Sequence, residues 1–326
     1  MIDRTPRGAA LLGQYSEEEV LDTLLALLPT SGGKDVGPGD DGAVLSLSGP
    51  LIATTDSMVR GTDWRDDWSS PADVASKCLT QNLADVAAMG AQPRSVLLSL
   101  VADPATPFAW VVDFARAFGQ AARRAGVDVA GGDLSGAPSG TLMLSVTAFG
   151  QLAGQAPVLR SGAQPGDVVA LAGTLGMSGA GLLLLQSRSM PDQARTDSAL
   201  IAAHLSPRAP IEQGPVAAAA GAHAMIDISD GLLRDADRIG RASGVLVDLR
   251  VAALAPFAHP LTEALSADDA LECVLTGGEE HSLLACFPDG MPLPPGWQVI
   301  GRIRPGLGVA LDGEPAVAAG WDHFAG

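Results

Sequence analysis

The sequence predicts an α/β chain of two domains, and three observations carry that expectation. The length, 326 residues, suits two domains of ordinary size, each able to bury a core. Short apolar runs alternate with amphipathic stretches, and many of the runs end in Asp-Gly turns. In the second half, Ala224-Met225-Ile226 leads into Asp227-Ile228-Ser229-Asp230-Gly231, and then into the amphipathic stretch Leu232–Ile239. This reads as a strand that ends in two carboxylates and a hydroxyl and then opens a helix. Strand ends and helix N-termini are where α/β proteins hold phosphates and metals. Taken alone, either Asp is equally explained as an ordinary helix N-cap.

Composition removes several function classes. Apolar residues are 47% of the chain, so it is globular rather than disordered. No apolar run approaches the roughly 20 residues that span a bilayer. The opening MIDRTPRGAA lacks a signal-peptide core, so a soluble cytoplasmic protein is expected. Cys78, Cys273 and Cys286 form no C-x-x-C and read as small buried hydrophobes. The net charge of −17 argues against nucleic acid, which needs a basic stripe. Many Asp residues stand beside Gly at strand ends. That placement suits a hard cation such as Mg²⁺, which prefers oxygen ligands; acidity that only aids solubility is the alternative.

In chain order, Ser16-Glu17-Glu18-Glu19 is a capping box before Val20, Leu21, Leu24, Leu25 and Leu28, in a helix that Pro29 ends. Gly37-Pro38-Gly39-Asp40-Asp41-Gly42 carries paired Asp into a strand, as a hairpin turn also would. Leu51–Asp56 is a strand ending in Thr54, Thr55 and Asp56, either a Mg²⁺ corner or a simple Asp turn. Ser70-Pro71 starts a helix that Gly90 closes. It places Cys78, Asn82, Asp85 and Met89 on one face, and Asp85, among apolar neighbours, must be paired or be a ligand. Thr106-Pro107 opens a helix that Gly126 ends. Val127–Ala130 is a short strand running into Gly131-Gly132-Asp133, where glycines let backbone approach a phosphate and the Asp can carry a metal. Leu142–Phe149 closes a first domain over 1–150, and 151–326 forms the second.

The second domain opens with a loop through Arg160, which is either a solvated charge or a phosphate clamp. The strand Val168–Leu171 follows. Gly173, Gly176, Gly179 and Gly181 then form a turn into a helix over Leu182–Gln186. A helix around Ile211–Ala220 precedes the Asp227 motif. Leu246–Leu249 is a strand, and Gly277-Gly278-Glu279-Glu280 is another acidic turn, before the strand Ser282–Phe287. Trp297–Ile303 and Val309–Leu311 read as a final hairpin, and Trp321 as a tail anchor or pocket wall. The chain has no Walker A sequence, no G-x-G-x-x-G after a strand, no G-x-S-x-G and no H-E-x-x-H.

Eight motifs in order resemble one family. They are G-D-D-G-A-V-L (39–45), T-T-D-S-M-V-R-G (54–61), N-L-A-D-V-A-A-M-G-A (82–91), G-G-D (131–133), R-S-G-A-x-P-G-D (160–167), D-I-S-D-G-L (227–232), G-G-E-E (277–280) and G-W-D-H-F (320–324). The chain resembles the thiamine-monophosphate kinases, within the aminoimidazole-ribonucleotide-synthetase-like ATP-binding superfamily. The resemblance implies a two-domain fold of that superfamily. Its N-terminal sheet would bind ATP and Mg²⁺ and pair across a homodimer, and its C-terminal α/β domain would close over the active site. It implies transfer of a phosphoryl group from ATP to thiamine monophosphate. Asp40, Thr54, Thr55, Asp56, Asp85, Asp133, Asp227 and Asp230 would hold several Mg²⁺ ions. Gly132, Asp133, Arg160 and Ser229 would contact ATP, and position 63, Glu279 and Trp321 would face the acceptor. Asp133, Asp230 and Arg160 would carry the catalysis.

The chemistry is consistent with that set. The acceptor is a phosphate oxygen, already anionic near neutral pH, so no strong base is needed. Two polyanions must be brought together and their repulsion cancelled. Direct in-line transfer without a phosphoenzyme is expected. The sequence departs from the family where His commonly follows its T-D motif, because Asp63 stands there. It departs again at Glu280-His281-Ser282, in place of D-Y-E, and at Ala115, in place of an adenine-packing aromatic. Two other outcomes remain at this stage: another enzyme of the superfamily, such as an aminoimidazole-ribonucleotide or selenophosphate synthetase, or a nucleotide-binding paralogue without turnover.

Overall fold

Helix α1, Glu17–Leu25, begins where its capping box places it. Ser16 Oγ accepts from the Glu19 amide at 3.3 Å, and Glu19 Oε2 accepts from the Ser16 amide at 2.8 Å. Two otherwise orphaned N–H groups are thereby satisfied. The computed structural model describes residues 10–30, 36–38, 42–46, 48–187 and 198–321. These form two compact units. One takes the chain up to Leu83 with Pro93–Gln151, and the other takes Ala84–Gln92 with the chain from Leu152.

The first unit is a four-stranded sheet. Its strands are β1 (Leu51–Val59), β2 (Gln92–Ala102), β3 (Asp128–Gly136) and β4 (Leu142–Gln151), in the order β1-β4-β2-β3. Helices α2 (Pro71–Ala88) and α3 (Phe108–Ala125) come from the same stretch of chain. Val111, Phe114 and Phe118 of α3 are buried in its core, as the apolar stripe requires. Strand β2 carries no expectation from the sequence, because Pro93 near its start masks an otherwise apolar run, Val96–Val101.

Gly131-Gly132-Asp133 corrects an expectation. It is not a loop beyond a short strand but the middle of β3, paired in parallel with β2 and following a bulge at Val96/Leu97. A Cβ on Gly132 would lie 1.9 Å from the Leu98 carbonyl oxygen. Close strand approach therefore accounts for this glycine. Gly132→Ala is expected to lower unfolding free energy by about 1–3 kcal/mol through overpacking. Urea denaturation reads this, and a midpoint equal to the parent's would refute it.

The second unit is a seven-stranded sheet built from β5 (Val168–Ala172), β6 (Ala224–Ile228), β7 (Leu246–Leu249), β8 (Ser282–Phe287), β9 (Trp297–Arg304), β10 (Gly308–Leu311) and β11 (Glu314–Pro315). The order is β11-β10-β7-β9-β5-β8-β6. Helices α4 (Met177–Gln186), α5 (Ala199–Leu205), α6 (Gln213–Ala219), α7 (Leu232–Ser243), α8 (Val251–Ala258) and α9 (Ala267–Thr276) complete it. Every residue of β5, β6 and β8 is buried. Val169, Leu171, Ile226 and Leu284 face one core, with Leu232, Ile239 and Val274. Val168, Ala170, Met225 and Ala285 face another, with Ala87 and Ala217. Burial on both faces explains why these strands are continuously apolar rather than alternating.

Two further expectations change. Trp297–Ile303 and Val309–Leu311 do not form a hairpin. Strand β7 lies between them, and β10 pairs instead with β7 in parallel and with β11. Gly179 and Gly181 lie inside α4, not in a turn before it. A Cβ on Gly181 would stand 2.1 Å from the Leu200 carbonyl oxygen, so this glycine lets α4 and α5 approach backbone to backbone. Cys78, Cys273 and Cys286 are free and buried, as expected. Among the described residues no helix is long and apolar enough to cross a membrane.

Candidate active site

In the first unit, strand alternation sorts the acidic turn of β1. Thr54 and Asp56 share one face and Thr55 the other. The Asp56 amide donates to Asn82 Oδ1 at 3.0 Å, and Asn82 Nδ2 donates to the Cys78 carbonyl at 2.9 Å, so buried Asn82 ties α2 to β1. Thr55 Oγ1 donates to the Val146 carbonyl and accepts from Thr147 Oγ1, both at 3.1 Å. The hydroxyl of Thr55 and the carboxylate of Asp56 thus do not form one metal corner. Asp133 lies on β3, at the opposite edge of the sheet from β1. Three strand spacings separate the edges, about 14 Å along the sheet. No single ion takes side-chain ligands from both. Asp133 is exposed and accepts from Ser135 Oγ at 2.7 Å. Asp40 lies outside the described residues.

Asp63 closes the turn after β1. Its Oδ2 accepts from the Val59 amide at 2.7 Å, and its carbonyl accepts from Lys77 Nζ at 3.3 Å. Lys77 is itself buried. A largely apolar cavity of about 750 Å³ also lies in this unit. Its walls include Leu21, Leu25, Phe114, Ala115, Gly132 and Asp133. Such a concavity with a few polar groups is the usual form of a small-molecule site. Ala115 lies on its wall, where an aromatic would take up space.

In the second unit the Asp227 motif is organised by a residue the sequence reading did not single out. Asp235, fully buried, accepts through Oδ2 from the amides of Ser229, Asp230 and Gly231 at 3.1, 3.0 and 3.2 Å. Arg238 Nη1 reaches its Oδ1 at 2.6 Å, and Arg238 Nη2 reaches Asp230 Oδ2 at 2.5 Å. Burial, then the charge of Asp227, push the Asp235 carboxyl up to about 7, against the pull of Arg238 and the Asp230 amide. Four donors face its two oxygens and none can take a proton, so the geometry favours the carboxylate. The loop amides that a helix N-terminus offers to an anion are here taken by the helix's own side chain.

Asp227 is buried, and its Oδ2 lies 3.2 Å from His281 Nδ1. Burial alone would lower the His281 pKa. The hydrogen bond and charge of Asp227, then the charges of Glu279 and Asp85, outweigh it and raise the pKa. Asp85 and Asp227 therefore act on one imidazole. Glu279 and His281 both adopt positive φ, 60° and 54°, which is strained for side-chain-bearing residues and recurs at functional sites. Between them Glu280 is buried, and its carboxylate accepts from the Ser178 amide and from Thr174 Oγ1, both at 2.7 Å. Burial nevertheless raises its pKa. Glu279 Oε2 lies 3.3 Å from His204 Nδ1, which lies 3.1 Å from Ser178 Oγ.

Trp321 is exposed, but its amide donates to the Asp230 carbonyl at 2.9 Å, and Arg234 donates to the Trp321 carbonyl. The Trp321 main chain therefore stands beside the Asp227 motif. Arg160 is exposed, at the start of a loop whose main chain is held by Ser243. The sequence reading missed Asp235, Arg238, His204, Ser178 and Ser243. Only Asp235, in the first turn after the D-x-S-D-G motif, had a readable signal. His204, Ser178 and Ser243 act across long sequence separations.

Comparison with known proteins defines the class first. Residues 39–152 match the AIR synthase related protein N-terminal domain, and residues 164–306 the corresponding C-terminal domain. Together with the two sheets this is the two-domain AIR-synthase-like fold. The chain is 42% identical over 318 residues to the thiamine-monophosphate kinase of Mycobacterium tuberculosis, covering 96% of this chain and 93% of that one. The solved thiamine-monophosphate kinase of Stenotrophomonas maltophilia is 32% identical, with a TM-score of 0.76 over 92% of this chain and 96% of its own. AaThiL, solved in complex with AMPPCP and TMP, is also 32% identical, with a TM-score of 0.75 over 84% of this chain and 87% of its own. The chain belongs to the thiamine-monophosphate kinase family.

Proposed function

We propose that the chain transfers the γ-phosphoryl group of ATP to thiamine monophosphate, giving thiamine diphosphate and ADP. The observation that carries this reading is the chemistry around the motif loops, where carboxylates and arginines cluster and the described cysteines are buried. Burial pushes the thiols of Cys78 and Cys273 up to about 12 and about 11, and raises that of Cys286 as well. A cysteine-borne phosphoryl intermediate is therefore disfavoured, which is consistent with direct in-line transfer. In this reading Arg160 meets the ATP phosphates, and the main chain at Ser229 borders them. Glu279 and Trp321 face the acceptor. The carboxylate of Asp63 accepts from the Val59 amide, which holds it at its turn.

The proposed ligand set is all oxygen, which fits Mg²⁺. That ion keeps several waters and needs only one or two carboxylates beside substrate phosphates. Asp133 is the best placed, exposed and bound only through Ser135 among the described residues. Thr54 and Asp56 would serve a separate ion in the first unit, and Asp85 and Asp227 would serve the second unit. Asp230 is already neutralised by Arg238 and would orient the loop instead. An ion held by these carboxylates would screen the phosphate charges. The chain's own groups hold the donor and acceptor in line.

A homodimer and a cytoplasmic location belong to the same proposal. Strand β1 is a nine-residue edge with Leu51 and Val59 exposed, an edge that pairing with a second copy would cover. Sedimentation equilibrium is expected to give twice the 33.0 kDa chain mass, and a monomer would refute the pairing. The activity is tested by ADP release with direct detection of thiamine diphosphate. Product that requires ATP, Mg²⁺ and thiamine monophosphate together supports the reading. ATP binding without product would leave a nucleotide-binding paralogue.

A further inference from the structure

We propose that Ser243 is the positioning residue for Arg160, fixing the root of that side chain so that its guanidinium meets the phosphates of ATP. The inference rests on the reading of Arg160 given above and extends it to a residue 83 positions away. Ser243 is the last residue of α7, and Gly244, at φ 69°, ends the helix just after it. A serine near a helix end ordinarily bonds back to its own helix or to water. This one reaches across to the Arg160 loop.

Its hydroxyl donates to the Arg160 carbonyl at 3.0 Å and accepts from the amides of Gly162 and Ala163 at 3.1 and 3.2 Å. A hydroxyl has one proton to give and two lone pairs to receive, so all its capacity goes to one loop. A side chain without a hydroxyl does not do this. Alanine has no polar atom, and threonine keeps the hydroxyl.

The rest of the loop is held as firmly. Gly162 adopts φ 142°, and a Cβ there would lie 2.3 Å from the His223 carbonyl oxygen. Asp167, buried, accepts from the Gln164 amide at 2.8 Å and lies 3.0 Å from His223 Nδ1. The main chain from Arg160 to Asp167 is thus pinned at both ends while the Arg160 side chain is exposed. Among the described residues that side chain has no ion pair, so the loop rather than a counter-charge fixes where it starts. A long flexible side chain rooted in a fixed main chain searches less space for its phosphate.

A double-mutant cycle on ATP affinity tests this, read by titration of a fluorescent ATP analogue and by the KM for ATP. Ser243→Ala is expected to weaken ATP roughly tenfold with kcat nearly unchanged. Arg160→Ala should weaken it at least as much, and adding Ser243→Ala to that background should change nothing further. Ser243→Thr should restore affinity. Additive losses, or a Ser243→Ala chain with parental affinity, would overturn the proposal. Should Ser243→Ala fail to fold, Ser243→Cys takes its place. Its weak donor predicts an intermediate affinity, and parental affinity there overturns the inference equally. If Arg160→Ala leaves ATP affinity unchanged, the clamp reading fails and this inference with it. Because the cycle reads nucleotide binding, it stands apart from the acceptor: a wild-type chain that makes no thiamine diphosphate refutes the proposed reaction, not the role of Ser243.

Discussion

Asp235→Ala is expected to lower the unfolding free energy by about 1–3 kcal/mol, the cost of leaving a buried hydrogen-bonding group unsatisfied. The size follows from what the carboxylate holds. Its loss strands the amides of Ser229, Asp230 and Gly231 and leaves Arg238 with Asp230 alone. Gly231 is buried and Ser229 and Asp230 are half-buried, so water relieves the stranded amides only in part. Asp235→Asn keeps the shape but turns an N–H donor towards either the loop amides or Arg238, so it should recover only part of the loss. Denaturant midpoints of the three chains check this. An alanine variant as stable as the parent would mean that the loop holds itself.

Asp133→Asn is expected to do the reverse, abolishing activity while sparing the fold. Asp133 is exposed, and asparagine retains an oxygen to accept from Ser135. Surface changes of this kind usually move stability by less than about 0.5 kcal/mol. If Asp133 helps to neutralise the transferring phosphoryl group, kcat should fall by about 10²–10³-fold, the scale of one lost electrostatic contact in a transition state. Steady-state thiamine diphosphate formation beside a thermal melt separates the two effects. Parental kcat would remove Asp133 from the chemistry, and an equal fall in melting temperature would reassign it to the fold.

These two aspartates show where sequence reading succeeds and where it stops. The strand-then-helix pattern around Asp227 was legible because apolar period and turn chemistry are local. The same holds for the capping box at Ser16 and for α3. The order of strands was not legible. The last two apolar runs looked like a hairpin because nothing in their own residues shows that β7 lies between them. The glycines of Gly131-Gly132-Asp133 invited a phosphate reading, yet Gly132 is required by the Leu98 carbonyl, which sits 34 positions earlier. The acidic motif residues were found by their neighbours in sequence. What Asn82, His281 and Arg238 hold is visible only in the folded chain, because they act on carboxylates and loops through space.

The order of the second sheet also sets a timetable for synthesis. Strand β5 pairs only with β8 and β9, and β6 pairs with β8, so both wait for residues made much later. The register Ala172↔Leu283 spans about 110 residues. At roughly 5–20 residues per second, a growing chain carries Val168–Ala172 unpaired for several seconds or longer. That segment is wholly apolar, the kind that sticks to its own kind when left open. Such long-range pairing is slow to form even in a finished chain. A premature stop before Ser282 would thus leave β5 and β6 exposed, and such fragments should be found in aggregates rather than as half-sized folded proteins.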